Sequence, residues 1–197
     1  MNIIYLLFHG LSPYSGISKK ILHQVKGFEA CGHRVSLCTY SIADNGHRVR
    51  MINNEIIEDY GTGKPAAAKR RVSYQCIYRY AITHQVELIY VRSFHNANPF
   101  TIRLFSKLRK AGIKIAMEIP TYPYDSEYAG FPLVTRLGIQ VDKVFRKTLA
   151  KHVNAIVTFS DYHCIFGQRT IQISNGVDFD SIPLKKTVSK NTSVIHL

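Results

Sequence analysis

The chain has 197 residues, 46% hydrophobic and 20% charged, a balance that can bury a core and that excludes intrinsic disorder. No apolar run approaches the ~18 residues needed to cross a bilayer, and the opening "NIIYLLF" is too short, and too poor in flanking bases, for a signal peptide. Lysine and arginine number 26 against 13 acidic residues, and the net charge of +13 favours a polyanionic partner: nucleic acid, an anionic membrane face or a phosphorylated substrate.

Residues 2–8 form a continuous apolar run, the pattern of a strand buried on both faces. Ile17, Ile21, Val25 and Phe28 recur at helical spacing, and Cys31-Gly32 closes that helix. Residues 34–40 read as a second strand, and 48–61 as a hairpin-like excursion around Asn53-Asn54. Residues 64–85, with Pro65 in the first turn, read as one long helix. A strand at 87–92, a helix at 98–112 and a strand at 113–119 follow. Residues 131–152 are helical, 154–160 a strand, and 171–174 a short strand that runs into Asn175-Gly176, a sharp turn that glycine permits. This alternation, with near-continuous apolar strands, predicts an α/β fold: a Rossmann-like, doubly wound, mostly parallel sheet. Repeats and low-complexity tracts are absent. Cys31, Cys38, Cys76 and Cys164 make no C-x-x-C pair and no cluster with histidine, so they read as reduced thiols of a cytosolic protein.

Ligands of such sheets bind outside the carboxyl ends of the strands, which singles out five loops. The first, "HGLSPYSGISKK", is bracketed by Gly10 and Gly16 and opens a helix whose amino terminus suits a phosphate or a sugar hydroxyl. It carries neither G-x-G-x-x-G nor a P-loop, and taken alone it is better explained by Ser15 or Ser18 as a plain helix cap. The loop after residue 92 sets Arg92, His95, Asn96 and Asn98 together, either an anion or hydroxyl binder or a solvated turn. "EIPTYPYDSEY" packs two prolines, three tyrosines and three carboxylates into eleven residues. That composition suits stacking on sugar rings, with Glu118, Asp125 and Glu127 available as acid or base, or else a stiff connector over the sheet edge.

On the helix at 131–152, Arg136, Gln140, Lys143, Lys147 and Lys151 share one face, while Leu137, Val141, Val144, Phe145 and Leu149 make the other. Arg103, Lys107 and Lys110 repeat the arrangement, and Lys69-Arg70-Arg71 adds a third cluster. A charged helix face is commonly just solvated; several on one basic domain suggest a peripheral membrane surface.

With these loops in place, residues 1 to about 180 resemble the amino-terminal domain of the GT-B glycosyltransferases, most closely the retaining family 4 type. "NIIYLLF" before a loop ending in Gly16, "GFEACGHRVSLCTY", "IYVRS", "NAIVTFSDY" and "ISNGVD" carry the resemblance by their order and spacing. It implies that 1–182 is a Rossmann-like acceptor-binding domain, 183–191 an interdomain linker and 192–197 the start of a truncated donor-binding domain. It further implies transfer of a sugar from a nucleotide-sugar donor to a growing, lipid-linked or oligosaccharide acceptor of a bacterial surface polysaccharide. Gly16, Asn175, Gly176 and Asp178 would meet the donor, and Arg92, His95, Tyr122 and Tyr124 the acceptor. Asp125, beside those acceptor residues, is the catalytic candidate; "EIPTYPYD" lacks the histidine many members place there, so no catalytic histidine is carried over. Arg136, Lys143, Lys147 and Lys151 would face an anionic membrane, placing the protein on the inner face of the cytoplasmic membrane. No cofactor, metal or nucleic-acid partner is expected. The rival readings are a basic nucleic-acid-binding α/β domain, which lacks the aromatic–basic sheet face, and a stand-alone nucleotide-binding Rossmann enzyme, which lacks the glycine fingerprint.

Overall fold

The computed structural model describes residues 1–12, 14–92, 96–123, 130 and 133–174. Six strands run parallel to a neighbour: β1 (Asn2–Leu6), β2 (Arg34–Ile42), β5 (Leu88–Arg92), β6 (Lys114–Glu118), β7 (Ala155–Thr158) and β9 (Gln168–Gln172). β3 (Arg48–Ile52), β4 (Glu55–Asp59) and β8 (Cys164–Ile165) add antiparallel pairs at the two edges. The sheet order is β4-β3-β2-β1-β5-β6-β7-β9-β8. Five helices accompany it among the described residues: α1 (Gly16–Ala30), α2 (Gly63–Val72), α3 (Gln75–Thr83), α4 (Pro99–Lys110) and α5 (Leu133–Ala150). The result is an α/β fold with a mostly parallel sheet, compatible with a Rossmann-like architecture.

The alternation of side chains along β1 explains why its apolar run is unbroken. Ile3, Tyr5 and Leu7 pack with Ile21, Val25 and Phe28 of α1 on one face. Ile4 and Leu6 belong to a larger cluster on the other, with Ile77 of α3, Phe105 and Leu108 of α4 and Leu149 of α5. Burial of each large aliphatic side chain contributes roughly 1.5–3 kcal/mol before the entropy of ordering is set against it. Helix ends follow local chemistry. Asn98 caps α4 by accepting the N–H groups of Phe100 and Thr101 at 2.9 and 3.1 Å, Thr101 Oγ1 returns the bond to the Asn98 N–H at 3.0 Å, and Pro99 opens the first turn.

Two expectations are corrected, and α5 adds a finding. The helix read over 64–85 is two, because the chain turns at Ser73-Tyr74 and drives the Tyr74 ring into the core, edge-on to Phe8 at 5.8 Å. The last strand starts at Gln168 rather than at Ile171, since Phe166 and Gly167, both at positive φ, fold a short hairpin from β8 into β9. The apolar row of α5 divides: Leu137, Val141 and Val144 are 59%, 45% and 71% exposed, while Phe145 and Leu149 pack against the core. Ile139, Asp142 and Ala150 also point inward, and Asp142 Oδ1 accepts the Ala97 N–H at 2.9 Å. That buried hydrogen bond ties α5 to the segment before α4.

Candidate functional site

The sheet order diverges beside β1, so the chain departs β1 toward α1 on one face and β5 toward α4 on the other, the switch point at which α/β sheets open a crevice at the carboxyl edge. Gly10 makes that departure possible, because a Cβ there would stand 2.8 Å from the Tyr40 carbonyl oxygen. The loop is then pinned. The Ser12 N–H donates to Ser18 Oγ at 2.9 Å, the Ser15 N–H to Ser12 O at 3.1 Å, and Ser15 Oγ accepts the Ser18 N–H. The capping reading of Ser15 therefore holds. The first turn of α1 contains no acidic residue, so the positive end of its dipole is not offset from within the helix.

Below that turn lies a buried polar network. Glu118 ends β6 with no exposed surface, and Arg92 ends the neighbouring β5 at 7% exposure. Arg92 Nη1 donates to Glu118 Oε1. Glu118 Oε2 accepts Tyr90 Oη–H at 2.7 Å and Gln24 Nε2–H at 2.9 Å, and Tyr5 Oη–H donates to Gln24 Oε1 at 2.5 Å. Each member answers another, as a buried ionic group requires. Burial, then the Glu118 charge, pushes the Tyr5 and Tyr90 phenols above their ordinary range, so both remain neutral donors. Lys20, one turn into α1, rests its Nζ 3.4 Å from the Phe159 ring centroid. Partial burial lowers its pKa, Glu118 opposes that shift, and Arg92 adds to it. Counting charges, one carboxylate faces Arg92 and Lys20, which leaves a positive excess at the crevice beside the amino end of α1.

The expected residues fall as follows. Gly16 is the first residue of α1, and a Cβ there would meet nothing within 4 Å, so its surroundings are open. Arg92 lies in the crevice wall, with its guanidinium committed to Glu118. Tyr122 follows β6; its N–H donates to Ser160 Oγ at 2.9 Å, and its ring stands edge-on to Tyr162 and Phe166 at 5.0 and 5.5 Å. Gly16, Arg92 and Tyr122 thus border the carboxyl edge. Arg136, Lys147 and Lys151 are exposed and Lys143 is half-buried, all away from the core face of α5. His95, Tyr124, Asp125, Asn175, Gly176, Asp178, the 183–191 segment and the 192–197 segment lie outside the described residues. Among the described residues no cluster of three or more His, Cys, Asp or Glu is placed to hold a metal ion. No helix there is long and apolar enough to cross a membrane.

Lys20, Gln24, Tyr5 and Tyr90 belong to the site but were not singled out by sequence. Their signal was two tyrosines inside otherwise aliphatic strands, which the register places side by side as Tyr5↔Tyr90. A buried phenol needs a partner, and that partner turns out to be Gln24 or Glu118. A second concavity of about 320 Å³ lies between the α2–α3 turn and α4, lined by Tyr74, Tyr78, Phe100, Arg103 and Lys107 among others. No protein-family model matches the chain, and no curated protein or solved structure does so either.

Proposed function

We propose that this chain is the acceptor-side half of a glycosyltransferase of the GT-B kind, with a doubly wound sheet. It moves a sugar from a nucleotide-sugar donor to a lipid-linked polysaccharide acceptor at the cytoplasmic face of a bacterial membrane. The observation that carries this reading is the positive excess at the carboxyl edge: Lys20 and the amino end of α1 set over the buried Glu118–Arg92 pair. A departing nucleoside diphosphate gains negative charge, and fixed cations and N–H dipoles there stabilise it with little reorganisation. The open space at Gly16 lets a phosphate or sugar approach the backbone. The aromatic group of Tyr122 after β6, Tyr162 after β7 and Phe166 in the β8–β9 turn offers faces for the acceptor sugar. On α5, the exposed row Leu133, Leu137, Val141 and Val144 runs beside Arg136, Lys147 and Lys151, the composition of a helix that lies in an anionic lipid interface.

The test uses the full natural protein, a panel of nucleotide-sugars, and vesicles carrying a sugar linked to lipid diphosphate. Transfer of labelled sugar to the lipid fraction is expected from one donor, and Lys20→Ala should slow it about 10²-fold. Absence of transfer from every donor by a folded protein would refute the reading. Transfer that ignores Lys20→Ala would move the chemistry away from this edge.

A further inference from the structure

The far side of β1 holds a second basic centre that the crevice does not use. Arg48 and Arg50 lie on one face of β3, Arg70 and Arg71 in the last turn of α2. Arg50 is 1% exposed; its Nη1 donates to Leu7 O at the carboxyl end of β1, 2.9 Å away. Arg48 Nη1 donates to Tyr40 Oη at 2.6 Å, and the Arg70 guanidinium stacks 4.2 Å over the Tyr40 ring. The Nε atoms of Arg48, Arg50 and Arg70 are all buried without a hydrogen-bond partner. Such groups cost free energy unless something answers them.

Counter-charge is missing as well. Among the described residues no carboxylate forms an ion pair with any of the four arginines. Glu58 stands opposite Arg50 in the β3–β4 register, but its carboxylate lies 3.9 Å from Arg79. Asp59 is taken by His47 at 2.7 Å and by the Gly61 N–H. The remaining neighbours are neutral at pH 7: burial pushes the Cys38 thiol up to about 11 and raises the Tyr60, Tyr74 and Cys76 groups in the same direction. Burial disfavours the charged form of Arg70, and repulsion from Arg71, Arg48 and Arg50 adds to that, against an opposing contribution from Tyr40. The carboxyl end of the α2 dipole offsets only part of this repulsion.

We propose that Arg48, Arg50, Arg70 and Arg71 form a binding site for a phosphoryl or diphosphate group, seated at the carboxyl end of β1 on the face opposite Lys20. Arg71, exposed, and Arg70, half-buried, make the charge-assisted contacts, and Arg50 supplies a fixed positive field behind them. This assignment is separate from the transferase reading: the arginines call for an anion whatever reaction the crevice performs. The same chemistry is offered by a soluble nucleotide and by a lipid-diphosphate headgroup.

The test is calorimetric titration of the full chain with inorganic pyrophosphate. Arg70→Gln and Arg71→Gln are compared with Lys114→Gln, which removes the same charge from the exposed start of β6. Saturable binding is expected, weakened about tenfold or more by either arginine change and about twofold at most by the lysine change. Absence of saturable binding, or equal weakening by all three, would overturn the site. Two further arms identify the source, and either supports it. Binding of uridine diphosphate that is lost in Arg70→Gln assigns a soluble nucleotide. Arg70-dependent binding to vesicles with polyisoprenyl diphosphate, and not to vesicles without it, assigns a lipid.

Discussion

A carboxylate with no exposed surface must be answered on both oxygens, and Glu118 is, by Arg92 on one and by Tyr90 and Gln24 on the other. Glu118→Gln leaves a guanidinium at 7% exposure without its charge partner. A loss of about 3–5 kcal/mol in urea unfolding is expected, and a loss below about 1 kcal/mol would show that the pair is not what holds this edge. The network was only partly legible: Glu118 and Arg92 stood out as polar residues at strand ends, but the pairings join residues 94 and 28 positions apart, which no local pattern encodes. The cysteines were more readable. Cys31 and Cys164 are exposed, while Cys38 and Cys76 are buried with raised thiol pKa values. A thiol reagent should therefore modify two groups in the folded chain and all four in denaturant; rapid native labelling of Cys38 would contradict the packing.

Among the elements, α5 gives the sharpest contrast between pattern and structure. Helical spacing showed two faces, basic and apolar, without fixing which of them is buried. Asp142, bonded to the Ala97 N–H, faces inward with Ile139 and Leu149, and Leu137, Val141 and Val144 face outward beside the basic row. The partner of Asp142 lies on a distant loop, and periodicity does not register such anchors. Leu137→Ser with Val144→Ser should lower partition onto anionic vesicles several-fold while changing stability by less than about 0.5 kcal/mol. Unchanged partition would remove the lipid role of α5. By contrast, the start of α4 was legible from Pro99 near its first turn; the structure adds the Asn98 cap, and Asn98→Ala should cost about 1–2 kcal/mol in denaturant melts. The break at Ser73-Tyr74 escaped because both halves share one apolar period and neither glycine nor proline marks the turn.

For the molecule as a whole, alternating periods were enough to predict a mostly parallel α/β sheet, because strands buried on both faces need continuous apolar runs. The strand order and the short β8–β9 hairpin were not predictable that way, since pairing is a property of the assembled sheet. Global pH behaviour follows from what the sheet buries. The Cys38 thiol titrates at about 11 when folded against an ordinary 9.0, so between those values the folded chain holds the extra proton. Stability is full below pH 9 and falls by about 3 kcal/mol as pH rises through that window, two units at 1.36 kcal/mol each. Tyr60 and Tyr90, also raised by burial, extend the fall to higher pH, while Lys20, lowered, works against it. Urea midpoints between pH 8 and 11 check this, and a Cys38→Ala chain should lose most of the drop.

The central claim is a location: the sugar donor meets this domain at the carboxyl edge beside Lys20 and the amino end of α1. Photo-crosslinking of the full natural protein with a diazirine-bearing nucleotide-sugar, mapped by mass spectrometry, tests it most directly. Labels are expected in the Gly10–Lys20 segment and around Tyr122 and Phe159. Labels confined to the amino ends of the strands, or on the β3–β4 hairpin tip at Asn53-Asn54, would contradict it.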